Sequence, residues 1–466
     1  MLKRIVYSKL ETWKKDGLKK AVCLIGARQT GKSTVAREFG KNNYRQVIEL
    51  NFIRHPEAKE IFRLPDPATI YSRLTALMRQ SIVEHDTLLI LDEIQECPEA
   101  RTAVKFLVED GKLDIIETGS LLGVSIQEVK SYPVGFERII PMYPMTFLEF
   151  LWALNIPQGT IDHLKSCYKN RRPVDELIHK QMLDLFSLYM VIGGMPEAVQ
   201  VYCDTFDLAK VSVIHDSILD LYRMDIQKYA VRRERVKILD IFDSIPGQLN
   251  AKNKRFKVAK IDKKMRTYQF EDSFLWLEAA GIALPCYNVC QPTYPLLLNE
   301  ERNLFKLYLC DTGLLCRMMG GGTSMEILKG NIEINLGGVL ENVFAQALKS
   351  RNFNLFYFVS KRNYELDFLV QNQSRIDLLE IKSGKYYTKH ASLDKALNNP
   401  EWQFGQTIVF CKGNVQEIGR ILYLPLYMVL FYEEEKEPEQ VWKPDLSALL
   451  NFNSDGNTCQ SKEELA

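Results

Sequence analysis

The sequence predicts an α/β protein of more than one domain, and three observations carry that prediction. Short apolar runs alternate with amphipathic stretches through the first third of the chain, and such alternation argues for a parallel sheet covered on both faces. A chain of 466 residues exceeds one ordinary core. The pattern then changes twice, first to a helical and basic middle, then to a second mixture of helix and strand.

Taken in order, Ala21–Ile25, Gln46–Leu50, Thr87–Leu91 and Leu113–Ile116 read as buried strands. Gly31–Gly40, Ile70–Val83 and Pro98–Asp110 read as the helices between them. Helices are expected over Thr146–Leu154 and Asp175–Met190, interrupted by the turn Gly193-Gly194-Met195-Pro196. A winged-helix-like segment follows. Val236–Leu249, Lys257–Asp262 and Thr267–Ala280 are its helices, and Gly281–Val289 and Tyr294–Asn299 its wing strands. The run Gly320–Gly322 reads as a linker. Beyond it come a helix near Gly338–Ser350, strands at Leu355–Val359, Glu365–Val370 and Asp377–Ile381, and a buried apolar strand in Ile421–Tyr432. The expected domains are therefore 1–205, 206–322 and 323–432, with a polar, disordered tail over 433–466.

Composition narrows the function classes. Hydrophobic residues make up 46% and charged residues 26%, as in globular proteins. A formal net charge of +1 gives no global sign, so a nucleic-acid surface would have to be local. The ten cysteines include no C-x-x-C unit, which argues against structural zinc and for reduced thiols in a cytoplasmic protein. The opening residues lack the apolar core of a signal peptide, and Ile421–Tyr432 is too short to span a bilayer. No membrane partner is expected.

Gly26-Ala27-Arg28-Gln29-Thr30-Gly31-Lys32-Ser33 fits the phosphate-loop pattern G-x-x-x-x-G-K-[ST] without a mismatch, and Thr34 continues it. Glycines let such a loop fold so that its N–H groups face phosphate oxygens, and the following helix adds its positive end. Lys32 is expected on the β and γ phosphates of ATP and Ser33 on Mg²⁺. Thr87–Leu91 is an apolar strand ending in Asp92-Glu93. Asp92 is placed to hold Mg²⁺ and Glu93 to orient or deprotonate the attacking water, although an acidic pair there could simply cap a helix. A third strand ends at Thr118-Gly119-Ser120, where Ser120 is a γ-phosphate sensor or a helix cap.

Leu91-Asp92-Glu93-Ile94-Gln95, Thr118-Gly119-Ser120, Tyr143-Pro144-Met145, Gly193-Gly194-Met195-Pro196 and Lys306–Gly313 follow one another in an order that resembles one group of bacterial and archaeal AAA-superfamily P-loop ATPases. These carry a C-terminal domain of unknown function. The resemblance implies an AAA-type sheet, ATP with Mg²⁺, and an arginine finger working across a subunit boundary of a homo-oligomer. Arg138, in Pro133-Val134-Gly135-Phe136-Glu137-Arg138, is the finger candidate, and an ordinary surface arginine the alternative.

Two further features lie outside the nucleotide site. Between Lys228 and Arg266 thirteen basic residues face four acids, a local excess that suits DNA phosphates, a solvated face or a protein contact. Glu341, Asp367, Glu380 and Lys382 follow an order resembling the PD-(D/E)XK nuclease core, in which acids gather a divalent metal and the lysine steadies a hydroxide. The functional expectation is an ATPase that drives or gates a conformational change. Two alternatives stand beside it: an ATP-gated metal-dependent DNA nuclease, and a binding switch without cleavage.

Overall fold

The structure is a computed structural model and describes residues 2–119, 135–261, 263, 266–330, 337–360, 364–384, 386–435 and 443–445. Residues 1–433 form one compact unit and 434–466 another. All that follows concerns the first. The tail expected to be disordered lies almost wholly outside the described residues.

The N-terminal part runs α1 (Val6–Lys15), β1 (Ala21–Ile25), α2 (Lys32–Asn43), β2 (Gln46–Asn51), α3 (Pro67–Met78), β3 (Thr87–Asp92), α4 (Pro98–Asp110), β4 (Asp114–Gly119) and β5 (Glu137–Pro141). Its five strands lie in the order β2-β3-β4-β1-β5, all parallel. Strand side chains alternate between faces. Ala21, Cys23, Leu89 and Leu91 therefore pack with Ala103, Val104 and Leu107 of α4, while Val22, Leu24, Leu88 and Ile90 pack with Val35, Ala36 and Phe39 of α2. Both faces are covered, as the strand–helix alternation requires.

The helical middle comprises α5 (Phe147–Ala153), α6 (Gln158–Lys169), α7 (Glu176–Ile192), α8 (Pro196–Thr205), α9 (Leu208–Tyr229), α10 (Arg235–Leu249) and α11 (Glu271–Ala279). It continues through β6 (Ala283–Val289), β7 (Glu300–Leu309), α12 (Thr312–Met318) and α13 (Gly321–Leu328). The C-terminal part adds α14 (Gly337–Ser350), β8 (Phe356–Val359), β9 (Glu365–Asn372), β10 (Arg375–Ile381), α15 (Ala391–Leu397), β11 (Thr407–Cys411), β12 (Gln416–Ile418) and β13 (Ile421–Pro425). No helix among the described residues is long and apolar enough to cross a membrane.

The winged-helix expectation needs correcting in two places. The second expected helix is only a 3-10 turn at Val258–Lys260, and Tyr294–Asn299 holds no strand but a 3-10 turn at Leu296–Asn299. The partner of β6 is instead Glu300–Leu309, and this hairpin is no free wing. β6 pairs in parallel with β8, so one eight-stranded sheet, β12-β13-β11-β10-β9-β8-β6-β7, runs across residue 322. Gly321 and Gly322 do not form a linker; they open α13, whose Ile327 is buried. Pro425 ends β13 and the apolar run continues as a buried 3-10 helix, Leu426–Phe431. A proline cannot donate to the ladder, which is why the strand stops there.

Candidate functional site

The phosphate loop joins β1 to α2 at the C-terminal edge of the parallel sheet, where such sheets bind ligands. Gly26 and Gly31 have φ of +147° and +88°, values that disfavour any side chain. At Gly26 a Cβ would stand 2.1 Å from the Met142 carbonyl oxygen. Lys32 is buried and donates to the carbonyls of Gly26 (3.0 Å) and Ala27 (2.8 Å). Burial lowers its pKa to about 8, against the opposing influence of Glu93 and Asp92.

The ends of β2 and β4 and the start of α2 converge on one carboxylate at the end of β3. Ser33 Oγ donates to Asp92 Oδ1 at 2.7 Å, Thr118 Oγ1 donates to the same oxygen, and Asn51 Nδ2 donates to Asp92 Oδ2 at 2.7 Å. Asn51, Asp92 and Thr118 are aligned by strand register, since β2 pairs with β3 and β3 with β4 at these residues. Glu93 adopts a left-handed backbone, φ +55°, and its Oε2 accepts from Gln95 Nε2 at 2.6 Å. Ser33 and Asp92 present the hard oxygen atoms that Mg²⁺ prefers. Ser120 lies outside the described residues; the polar group at this strand end that meets Asp92 is Thr118. Arg138 sits on the edge strand β5 opposite Val22, toward the start of β1 and away from the loop. Its Nη1 donates to Asp16 at 2.7 Å.

The rest of the chain reaches this loop in ways that sequence spacing did not indicate. Arg28 forms an ion pair with Asp225 of α9, and Tyr222 of α9 donates to the Arg28 carbonyl at 3.1 Å. Arg4 donates to the carbonyls of Thr30 (2.8 Å) and Tyr143 (2.8 Å) and to Glu149 (3.0 Å). In the turn after α11, a Cβ on Gly281 would lie 2.8 Å from the Ala27 nitrogen. Asn51 alone left a sequence signal, as the polar residue ending an apolar strand in the manner of Asp92 and Thr118.

A second cluster forms on the eight-stranded sheet. Asp367 on β9 and Glu380 on β10 lie on adjacent antiparallel strands, and Asp367 Oδ2 accepts from the Ile381 N–H at 2.9 Å. Lys382 Nζ pairs with Glu380 Oε1 at 2.6 Å, while the buried Glu380 Oε2 has no partner among the described residues. Burial first, then Glu380 and Glu341, push Asp367 up to about 8. Glu341 of α14 is brought in as well, but both of its oxygens are engaged. Lys254 pairs with Oε1; Lys306 (3.0 Å) and the Tyr308 hydroxyl (2.7 Å) reach Oε2. Burial opposes ionisation of Glu341, yet Lys306 and Lys254 outweigh it and bring the carboxyl to about 2. Lys306 also pairs with Glu365 at 2.5 Å. Asp367, Glu380 and Lys382 thus meet as the motif implies, and Lys254, Lys306, Glu365 and Tyr308 were not foreseen.

Comparison with known proteins follows the same division. Residues 18–151 match the family model of an AAA domain, and residues 183–324 and 336–428 match two separate domains of unknown function. No curated protein matches the chain. Among solved structures, a Walker-type ATPase of Pyrococcus abyssi aligns at 15% identity over 68% of this chain and 96% of its own, with a TM-score of 0.41. The Orc1 protein of Aeropyrum pernix, solved in complex with DNA, aligns at 15% identity over 70% and 95%, with a TM-score of 0.27. The N-terminal parallel sheet with helices on both faces fits the P-loop fold that the AAA-domain match over residues 18–151 describes.

Proposed function

We propose that the chain binds ATP with Mg²⁺ at Gly26–Thr34, Asp92 and Glu93 and hydrolyses it to ADP and phosphate to drive or gate a conformational change. The observation that carries this reading is the short contact from Ser33 to Asp92 at the end of β3, set beside a buried lysine. Bound Mg²⁺ would supply charge neutralisation between the terminal phosphates, with Ser33 and Asp92 as the residues to hold it. The loop N–H groups of Gly26–Thr34 bind phosphate oxygens. Lys32 leaves its two loop carbonyls for the terminal phosphates, carrying its proton with it. Glu93 orients the attacking water and accepts its proton. Asn51 and Thr118 fix the rotamer of Asp92 through its two oxygens. Arg138 is assigned no role within its own protomer. As a finger it would act only where an oligomer sets the β5 edge against a neighbour's loop, and mixing Arg138→Ala with Lys32→Ala subunits would then restore turnover in hybrid sites.

The test is a pair of variants assayed for nucleotide binding and phosphate release. Lys32→Ala is expected to lose ATP binding. Glu93→Gln is expected to keep binding and lose about 10²-fold or more in turnover. Wild-type turnover by Glu93→Gln removes Glu93 from its role.

One observation favours a second reading alongside the first. Asp367, Glu380 and Lys382 stand together on the sheet with one carboxylate oxygen unpartnered among the described residues, which fits a metal-dependent phosphodiester site gated by ATP. Asp367 and Glu380 would hold the metal, and Lys382 would steady the developing charge. Metal-dependent nicking of plasmid DNA, lost in Asp367→Ala and in Lys382→Ala, is the expected result; its absence from the wild type leaves a binding switch.

A further inference from the structure

We propose that the basic loop between α10 and α11 is the phosphate-binding rim of the C-terminal acidic cluster, and that Lys254 of this loop covers Glu341 until a nucleic-acid backbone draws it away. The inference rests on the second reading above and adds to it a substrate-binding element and a gate. The sequence sets these basic residues and acids in different domains. The fold brings them together because α14 enters on Gly337-Gly338. At Gly338 a Cβ would lie 2.6 Å from the Leu249 carbonyl oxygen, so α14 starts hard against the end of α10, and Glu341 follows within one turn.

The loop is held so that its charges face outward. The Phe256 ring stacks on Phe305 (centroids 5.8 Å apart, planes at 9°), and its N–H donates to the Phe305 carbonyl at 2.8 Å. Lys257 exchanges hydrogen bonds with Gln248 through its backbone, and Val258 is buried. Around these anchors the side chains of Lys252, Arg255, Lys257, Lys260, Lys263 and Arg266 are exposed. Asp262 is the only acid of residues 250–266. A held array of exposed cations beside an acid–lysine cluster matches a phosphodiester strand, whose backbone supplies the opposite charge and whose scissile group must reach the acids.

Among the described basic residues of this loop, Lys254 is the one that turns inward. When ionised, the carboxylates of Glu341, Glu365, Asp367 and Glu380 face the ammonium groups of Lys254, Lys306 and Lys382. Among the described residues, four negative charges against three leave an excess of one, less than the charge of a divalent ion. Withdrawing Lys254 leaves an excess of two, which a divalent cation neutralises. Lys306 cannot be the mover: it lies on a paired strand, its side chain is 1% exposed, and it bridges Glu341 and Glu365. Lys254 belongs to no strand, is 22% exposed, and has Glu341 as its ion-pair partner. A phosphate on the neighbouring cations offers its ammonium an alternative anion, and Glu341 is then free for the metal.

The experiment uses the full chain, a fluorescein-labelled DNA duplex and its single strand, and Mn²⁺ titrated with and without DNA. Lys252→Glu, Arg255→Glu and Lys257→Glu combined should weaken DNA binding at least about tenfold and flatten its salt dependence by up to about three in slope. Lys254→Gln, which keeps a donor for Glu341, should bind Mn²⁺ about tenfold more tightly than wild type without DNA. DNA should raise Mn²⁺ affinity in wild type but not in Lys254→Gln, and the ATPase rate should be unchanged in both variants. Undiminished DNA affinity in the triple variant overturns the rim, and unchanged Mn²⁺ affinity in Lys254→Gln overturns the gate. Wild-type Mn²⁺ affinity in Asp367→Ala would instead overturn the metal-site reading beneath the gate.

Discussion

Lys32 shows how a single buried cation links the nucleotide site to pH. Burial lowers its pKa from 10.5 to about 8 in the folded chain. Holding its proton therefore costs the fold free energy at every pH below about 8, and that cost disappears as pH rises toward 10.5. Phosphate restores the reason to keep the proton. ATP binding near pH 8 is thus expected to take up protons, and affinity to fall as pH rises further. Calorimetry in buffers of different ionisation enthalpy checks this; a binding heat independent of buffer would rule it out. Asp367 works in the opposite sense. Its carboxyl is raised to about 8, so folding carries a penalty that is absent below the unfolded value of 3.8 and complete above about 8. With metal chelated, Asp367→Asn is expected to melt higher than wild type at pH 8 and to lose that advantage near pH 4. At this scale Lys32, Ser33, Asp92 and Glu93 were legible because one contiguous loop and one strand end specify them. Lys254 and Lys306 were not, since no local pattern records which distant carboxylate a lysine will meet.

At the scale of elements, the scattered motifs turn out to be one joint. The Met145 N–H donates to the Gly194 carbonyl at 2.6 Å, and the Gly194 N–H donates to Asp311 Oδ2 at 2.6 Å. The Leu314 N–H caps the other Asp311 oxygen at 3.0 Å. At Gly194 a Cβ would lie 2.0 Å from the Met145 carbonyl oxygen, so the turn between α7 and α8 tolerates no side chain there. The same logic applies where the turn after α11 touches the phosphate loop. Gly281 combines φ +72° with a 2.8 Å approach to the Ala27 nitrogen. Gly281→Ala is expected to cost about 1–3 kcal/mol of stability and to raise the KM for ATP, because the added methyl displaces the loop. An ATP KM equal to wild type would show that the contact is incidental. Of the β6–β7 hairpin only β6 was legible: the second strand expected, Tyr294–Asn299, holds a 3-10 turn, and β7 follows it at Glu300–Leu309. Its alternation is masked by Lys306, a charged residue on a buried face whose compensation is supplied by another part of the fold.

At the scale of the molecule, the two strands at one edge of the eight-stranded sheet, β6 and β7, come from the middle of the chain. A fragment of residues 323–432 would expose the β8 edge and lose Lys306 from Glu341. It is expected to unfold without a cooperative transition and to bind a hydrophobic dye, and a sharp melt at the full-length midpoint would refute this. Contacts also run without a break from the phosphate loop to α14. Arg4 joins the Thr30 and Tyr143 carbonyls. Tyr189 donates to the Met145 carbonyl at 2.7 Å and accepts from Gln346 of α14 at 3.0 Å.

The sequence by itself determined the elements and the residue groupings that are local in the chain: the alternating parallel sheet, the phosphate loop, the acidic strand end, and the neighbouring Asp367, Glu380 and Lys382 of the C-terminal strands. Periodicity and contiguous motifs record these because one helix or strand period suffices to place their side chains. Tertiary structure decided what covers the loop, with Asp225, Tyr222 and Gly281 arriving from the middle of the chain. It also decided that one sheet joins the middle to the end, and that Lys254 and Lys306 sit on Glu341. These are long-range pairings in which burial forces a charge or an N–H to find a partner, and the partner is chosen by packing rather than by its distance along the chain.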